Sequence, residues 1–188
     1  NVGIGTNSPA GKLHILSSDL NNNLILESSE TGGSTAPDLV LYRSSTSAAD
    51  NDYIGVIRFR GKNDNGTPED VEYGAITSQI KDSTDGSEDG ELALWTMEGG
   101  TLTQQVTLNS VGNVGIGNTD PGYRLEVTDS ATGNWISRIH NTATTNTPSG
   151  LLVKTDYNVS TATGGYVFAC LAGTDYRFVV QNDGNVGI

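Results

Sequence analysis

The side chains that most often carry out chemistry are sparse in this chain. It holds two histidines, His14 and His140, and one cysteine, Cys170. Neither histidine belongs to a metal-ligand spacing such as His-x-x-x-His. Both fall in strand-like runs, where an exposed or inter-subunit polar role is expected. Cys170, in Val167-Phe-Ala-Cys-Leu-Ala, reads as a small buried hydrophobe and not as a nucleophile. Serine is plentiful, but no Gly-x-Ser-x-Gly nucleophile motif occurs. The expectation is a chain with no catalytic residues and no cofactor.

The 22 acids make carboxylate pairs inevitable, so pairing in sequence does not point to the two convergent acids of a glycosidase. One acidic run has a recognisable pattern. Asp85, Ser87, Asp89 and Gly90 match the first half of a calcium-binding loop, but the final acid is replaced by Thr96 and no helical pattern flanks the run. A solvated hairpin tip is the expectation, with Asp85, Ser87 and Asp89 as the only metal candidates. Aromatic rings can stack on sugars, and the two rings taken as glycan contacts are Trp95 and Tyr157. Trp95 lies in a strand-like run. Tyr157 lies in the loop-like Asp156-Tyr-Asn-Val-Ser.

Composition excludes several partners. The net charge of −12 disfavours nucleic acid, whose phosphates need cationic contacts, and also anionic membrane surfaces. No apolar run is long enough to span a bilayer, so no membrane insertion is expected. A single cysteine allows no disulfide within the chain. Only 35% of residues are apolar, while glycine numbers 24. A polar, Gly-rich chain built of small modules buries little surface by itself, which predicts self-association.

The elements that must position these residues are organised by a repeat. Asn-Val-Gly-Ile occurs at Asn1–Ile4, Asn113–Ile116 and Asn185–Ile188. The match extends: residues 1–15 align without a gap on residues 113–127. Asn, Val, Gly, Ile, Gly, Pro and Leu recur at the same offsets, and Lys12 or Arg124 precedes the Leu. Repetition on this scale predicts tandem modules. The boundaries expected are 1–112, a repeat segment with a larger β module; 113–184, a repeat segment with a smaller one; and 185–188, the start of a further repeat. The excess of the first module is expected near 61–90, as a peripheral polar hairpin and the place where any receptor contact is expected.

Hydrophobic periodicity is that of strands throughout, separated by Gly, Asn, Asp, Ser and Pro clusters. In the first module strands are expected near 13–16, 24–27, 39–43, 53–61, 73–81, 92–97 and 102–108. In the second they are expected near 125–127, 135–140, 151–154, 166–172 and 176–181. The fold class is therefore all-β: tandem small β-sandwich-like modules joined by Gly-rich repeat segments. The Gly residues of Asn-Val-Gly-Ile-Gly permit close backbone approach. Three copies can converge on an axis filled by Val2, Ile4, Val114, Ile116, Val186 and Ile188; the alternative is a hairpin turn with no role in assembly.

The string Gly112-Asn-Val-Gly-Ile-Gly-Asn-Thr-Asp-Pro-Gly-Tyr-Arg-Leu-Glu-Val resembles the repeat of bacteriophage tail fibres and related fibrous surface proteins, which runs GNVGIGT-x-x-P-x-x-K-L-x-V. The resemblance implies an intertwined homotrimeric fibre, extracellular on a virion tail, with globular β modules along its shaft. Many such fibres end in a self-cleaving chaperone domain, and these 188 residues contain none. The function expected is a structural segment that positions or contributes to binding of a host cell-surface glycan. A bacterial or archaeal cell-surface filament or adhesin is the alternative, and a polysaccharide depolymerase comes last.

Overall fold

The computed structural model describes residues 1–18, 23–29, 31–33, 37–130, 136–140, 151–153, 166–172, 174–181 and 186–187. Its described elements are all strands. They are β1 (Val2–Ile4), β2 (Leu13–Ile15), β3 (Tyr53–Lys62), β4 (Asp70–Asp82), β5 (Asp89–Glu98), β6 (Thr101–Leu108), β7 (Val114–Ile116), β8 (Leu125–Val127), β9 (Tyr166–Ala172), β10 (Asp175–Gln181) and β11 (Val186–Gly187). Two compact units divide the chain, Asn1–Thr128 and Asp129–Ile188. The second copy of the repeat thus belongs with the sheet that precedes it.

The main sheet has six strands in the order β3-β4-β5-β6-β7-β8. The first five run antiparallel in sequence order, and β8 joins parallel to β7. Tight turns make the meander. Between β3 and β4, Asn63 Oδ1 accepts from the Glu69 N–H at 2.8 Å, and Lys62 pairs with Asp70 at 2.8 Å. Between β4 and β5, Asp82 Oδ1 accepts from the Thr84 N–H at 2.8 Å. Glycines with positive φ, Gly99 and Gly100, turn β5 into β6.

Register assigns side chains to faces, because partners opposite one another project to the same side. One row is aliphatic across every strand: Ile57, Ile76, Leu94, Val106, Ile116 and Val127. The next row on that face reads Gly55, Ser78, Leu92, Leu108, Val114 and Leu125. The opposite face carries Val56, Thr77, Ala93, Thr107, Gly115 and Glu126 in register. In the central rows one face is thus aliphatic and the other is mostly polar or small, with Val56 as the exception.

The aliphatic face is open in the single chain. Ile57, Leu92, Leu94, Leu108, Ile116 and Leu125 are all exposed, Leu125 at 65%. The buried residues among those described, Ala75, Thr77, Ala93, Thr107, Asn113, Gly115 and Pro121, are few and small. The sandwich expected from the sequence is thus not formed among the described residues: the six-stranded sheet is a single layer. A sandwich needs a second apolar sheet laid on the first, and no described strand of this unit covers the row.

Other expectations also change. The segment 61–90 is not a peripheral hairpin. It contains β4, which pairs on both sides and lies within the sheet, so only its two turns reach the periphery. Residues 24–27 and 39–43, expected as strands, have no regular secondary structure, and their consecutive apolar side chains lie exposed. Residues 136–140 and 151–153 are likewise without strand structure. A strand needs a hydrogen-bonding neighbour as well as a suitable pattern, and these segments have no strand partner among the described residues. Leu41 nevertheless touches the sheet. It lies so close over Gly55 that a Cβ there would be 2.9 Å from the Leu41 Cβ. Arg43 anchors the same segment, bonding the Tyr53 carbonyl at 3.0 Å and Asp52 at 3.0 Å.

In the second unit, β10 lies between β9 and β11 in an antiparallel three-stranded sheet. Phe168 and Phe178 meet edge to face there, with ring centroids 6.0 Å apart.

The turn after β4 makes an acid-sensitive point. Hydrogen bonds from the Thr84 backbone N–H and then its side chain hold the Asp82 carboxyl below the usual carboxylate range. A folded value lower than the unfolded one gives stability that is present above about pH 4 and fades as pH falls through the folded value. Asp82→Asn keeps an acceptor oxygen and removes the titration. Its melting temperature should vary less with pH between about 2 and 4 than that of the parent, checked by thermal melts across that range.

Candidate functional site

The repeat folds into the same small device wherever both of its halves are described. A first strand, Val-Gly-Ile, leads into a polar loop, and the chain returns to lay a second strand parallel to the first. Val2, Gly3 and Ile4 pair with Leu13, His14 and Ile15; Val114, Gly115 and Ile116 pair with Leu125, Glu126 and Val127. The bonds that close the device correspond one for one. The Val2 N–H donates to the Lys12 carbonyl at 2.6 Å, and the Val114 N–H to that of Arg124 at 2.9 Å. The Leu16 N–H donates to the Ile4 carbonyl and the Thr128 N–H to that of Ile116. The leading Asn reaches across the loop in both, Asn1 Nδ2 to the Pro9 carbonyl at 3.5 Å and Asn113 Nδ2 to the Pro121 carbonyl at 2.9 Å. In the second copy this amide is buried.

The recurrent glycines have a steric cause. A Cβ on Gly115 would stand 2.1 Å from the Asn118 carbonyl oxygen, and one on Gly3 would stand 2.3 Å from that of Thr6. Gly117 and Gly5 have φ of +70° and +73°, and each also faces a carbonyl oxygen, of Thr128 and of Leu16. The loop backbone folds onto the strand in the space a side chain would fill. Arg124 adds a bond from Nη1 to the Val111 carbonyl, which gives the cation of the repeat a role.

The two ends of the modules share a register as well. Thr107 and Leu108 oppose Gly115 and Val114. Val179 and Val180 oppose Gly187 and Val186 in the same order. The third copy thus enters the sheet of its own unit as the second copy enters the six-stranded sheet.

The residues expected at a common axis take different positions. Val114 and Ile116 extend the two apolar rows of the six-stranded sheet. Val2 and Ile4 lie exposed in the separate two-stranded sheet. Val186 is 61% exposed, and Ile188 lies outside the described residues. In the first two copies Val-Gly-Ile is a strand with a parallel partner, a pairing not expected from the sequence. The signal was present, since Leu13 and Leu125 stand at the same offset in the aligned copies.

Asp85, Ser87 and Asp89 fall at the β4–β5 turn. There the Gly86 N–H bonds Glu88 at 3.1 Å, the Ser87 N–H bonds the Thr84 carbonyl at 2.9 Å, and Asp89 lies opposite Asp82 in the ladder. Among the described residues no three His, Cys, Asp or Glu side chains come together as a metal site. His14 accepts a bond on Nδ1 from the Ala10 N–H at 3.2 Å, and His140 Nδ1 lies 2.9 Å from Arg138 Nη2. Cys170 is exposed, against the expectation of burial, because the strand that carries it belongs to a thin three-stranded sheet. Tyr157 lies outside the described residues.

Trp95 projects from the polar face. It stands opposite Ala75, and its Nε1–H donates to Thr77 Oγ1 at 3.0 Å, which fixes the ring along the neighbouring strand. Beside it, Arg58 Nη1 bonds both carboxylate oxygens of Glu72, at 2.7 and 2.8 Å. Sequence reasoning took Trp95 and missed the pair. The alternation of Arg58 with Ile57 and Phe59 was the available signal that Arg58 shares the polar face. A search against protein-family models finds no match to the chain, and no curated protein matches it.

Proposed function

We propose that this chain is a structural segment of a homotrimeric fibre of the bacteriophage tail type, whose surface contributes to contact with a host-cell glycan. The observation that carries the reading is the open aliphatic face of the six-stranded sheet, from Ile57 to Val127, set against a polar opposite face. An extended apolar patch of this kind marks an interaction surface. The patch bears no charge along its central row, in a chain of net charge −12, so the partner that suits it is another apolar face.

A second copy of the chain supplies such a face. Two copies would close a sandwich and three a prism; the repeat's resemblance to trimeric fibres favours three. The apolar segments 24–27 and 39–43, without strand partners among the described residues, provide material for exchange between copies. The parallel Val-Gly-Ile devices, with their carbonyl-packed glycines, suit short rigid joints between modules.

Light scattering on the purified chain tests the reading. The expected mass is three times the 19.7 kDa of one chain. A dispersed single-chain species at micromolar concentration with a cooperative melt would overturn it.

A further inference from the structure

We infer that the polar face of the six-stranded sheet holds a binding site for one neutral pyranose ring, centred on Trp95. The inference deepens the fibre reading and rests on it in one respect: the aliphatic face turns inward among copies, which leaves the polar face to solvent.

The site is a half-open cavity of about 160 Å³, lined by Tyr53, Arg58, Glu72, Ala75, Thr77 and Trp95 among others. That is below the roughly 300–1,000 Å³ of pockets for drug-sized ligands, so the occupant is a single ring. Its floor is made of small side chains, Ala75 and Thr77, both buried. The Trp95 indole, held by its bond to Thr77, and the exposed Tyr53 ring supply flat apolar surfaces. Such surfaces match the C–H face of a sugar ring, and the held indole loses little freedom on binding.

The polar wall is the Arg58–Glu72 pair. Their mutual bonds engage Nη1, while the guanidinium has further N–H donors on Nη2 and Nε and the carboxylate has further lone pairs. A donor fork beside an acceptor carboxylate is the arrangement that neighbouring hydroxyls can bond on both sides. The pair also sets the charge class. Glu72 repels a phosphate or carboxylate, Arg58 repels a cation, and a neutral polyol meets neither penalty. Placement on this face is informative too, because the large aliphatic side chains in the central register rows lie on the other one. Trp95 and Tyr53 are the large rings of this cavity, whose lining also includes the apolar Val56 and Leu102.

The test uses the full chain, with saturation-transfer NMR against the methyl pyranosides of glucose, galactose, mannose and N-acetylglucosamine, and titration calorimetry on any that respond. Variants are Trp95→Ala and Glu72→Gln, each checked by light scattering and thermal melt. At least one pyranoside is expected to bind, with affinity lowered tenfold or more in both variants while mass and melting temperature hold. Should Trp95→Ala fail to fold, Glu72→Gln decides. No binding by the folded parent, or retained affinity in either folded variant, overturns the site. The two readings fail separately: a trimer that ignores all four sugars removes the site alone, and a monomer that binds one removes the fibre alone.

Discussion

Ile116→Asp should abolish assembly, leaving a chain that runs as a single-copy species or precipitates. Ile116 is 43% exposed in one chain, where a polar substitution would ordinarily change stability by no more than about 0.5 kcal/mol. It stands, however, in the row that runs Ile57, Ile76, Leu94, Val106, Ile116, Val127. If that row is covered by other copies, the new carboxylate is buried with no partner in each of them, at a cost of several kcal/mol per chain. Val114→Asp, in the adjoining row, should act in the same direction. Charge changes at the β4–β5 turn, such as Asp85→Lys, provide the contrast, since that turn is solvated. Light scattering and thermal melts on the two sets measure the difference. Equal, small effects from both would mean that the aliphatic face faces water, and assembly through it would be ruled out.

Gly115→Ala should be the most damaging single-methyl change in the described sheet. The added carbon would sit 2.1 Å from the Asn118 carbonyl oxygen, a backbone atom that cannot swing away as a side chain does. Either the polar loop lifts from the strand or the parallel pairing of β7 with β8 is lost, and with it the buried bond from Asn113 to the Pro121 carbonyl. A forced rearrangement of this kind costs about 3 kcal/mol, which corresponds to a fall in melting temperature of roughly 6–12 °C for a chain of this size. Gly117→Ala combines a φ of +70° with a contact of 2.2 Å to the Thr128 carbonyl oxygen and should be comparably harmful. Gly66→Ala, at a turn with no atom within 4 Å of the new carbon, should be neutral or slightly stabilising. A neutral Gly115→Ala would show that the loop of the repeat does not pack on its strand.

How much of this was readable in the residues depends on the range of the interactions involved. The strands of the meander follow from local alternation and turn chemistry. Tyr53–Lys62, Asp70–Asp82, Asp89–Glu98 and Thr101–Leu108 all coincide with runs the pattern marks. The repeat was legible as identity at fixed offsets, and its equivalent hydrogen bonds follow because the same residues face the same backbone in each copy. What the alignment did not reveal is why glycine recurs. The cause is a carbonyl three residues ahead and another one strand away, visible only when the loop has closed.

The apolar pattern predicted a buried face for each strand but not what would bury it. A sandwich and an open sheet have the same alternation. Tertiary structure decided for the open sheet, because β3 to β8 all pair edge to edge while the other described strands of that unit, β1 and β2, pair only with each other. The same limit explains residues 24–27 and 39–43, whose composition suits strands while pairing depends on a neighbour. The polar face followed a similar course. Sequence named Trp95, but its junction with Arg58, Glu72 and Tyr53 exists only through register, which brings residues from three strands to one cavity. The sequence by itself determined all-β character, the modular repeat and the absence of a familiar catalytic motif, because those are properties of local pattern. Which face stays open, and which side chains meet on the other, was decided by strand pairing between residues far apart in the chain.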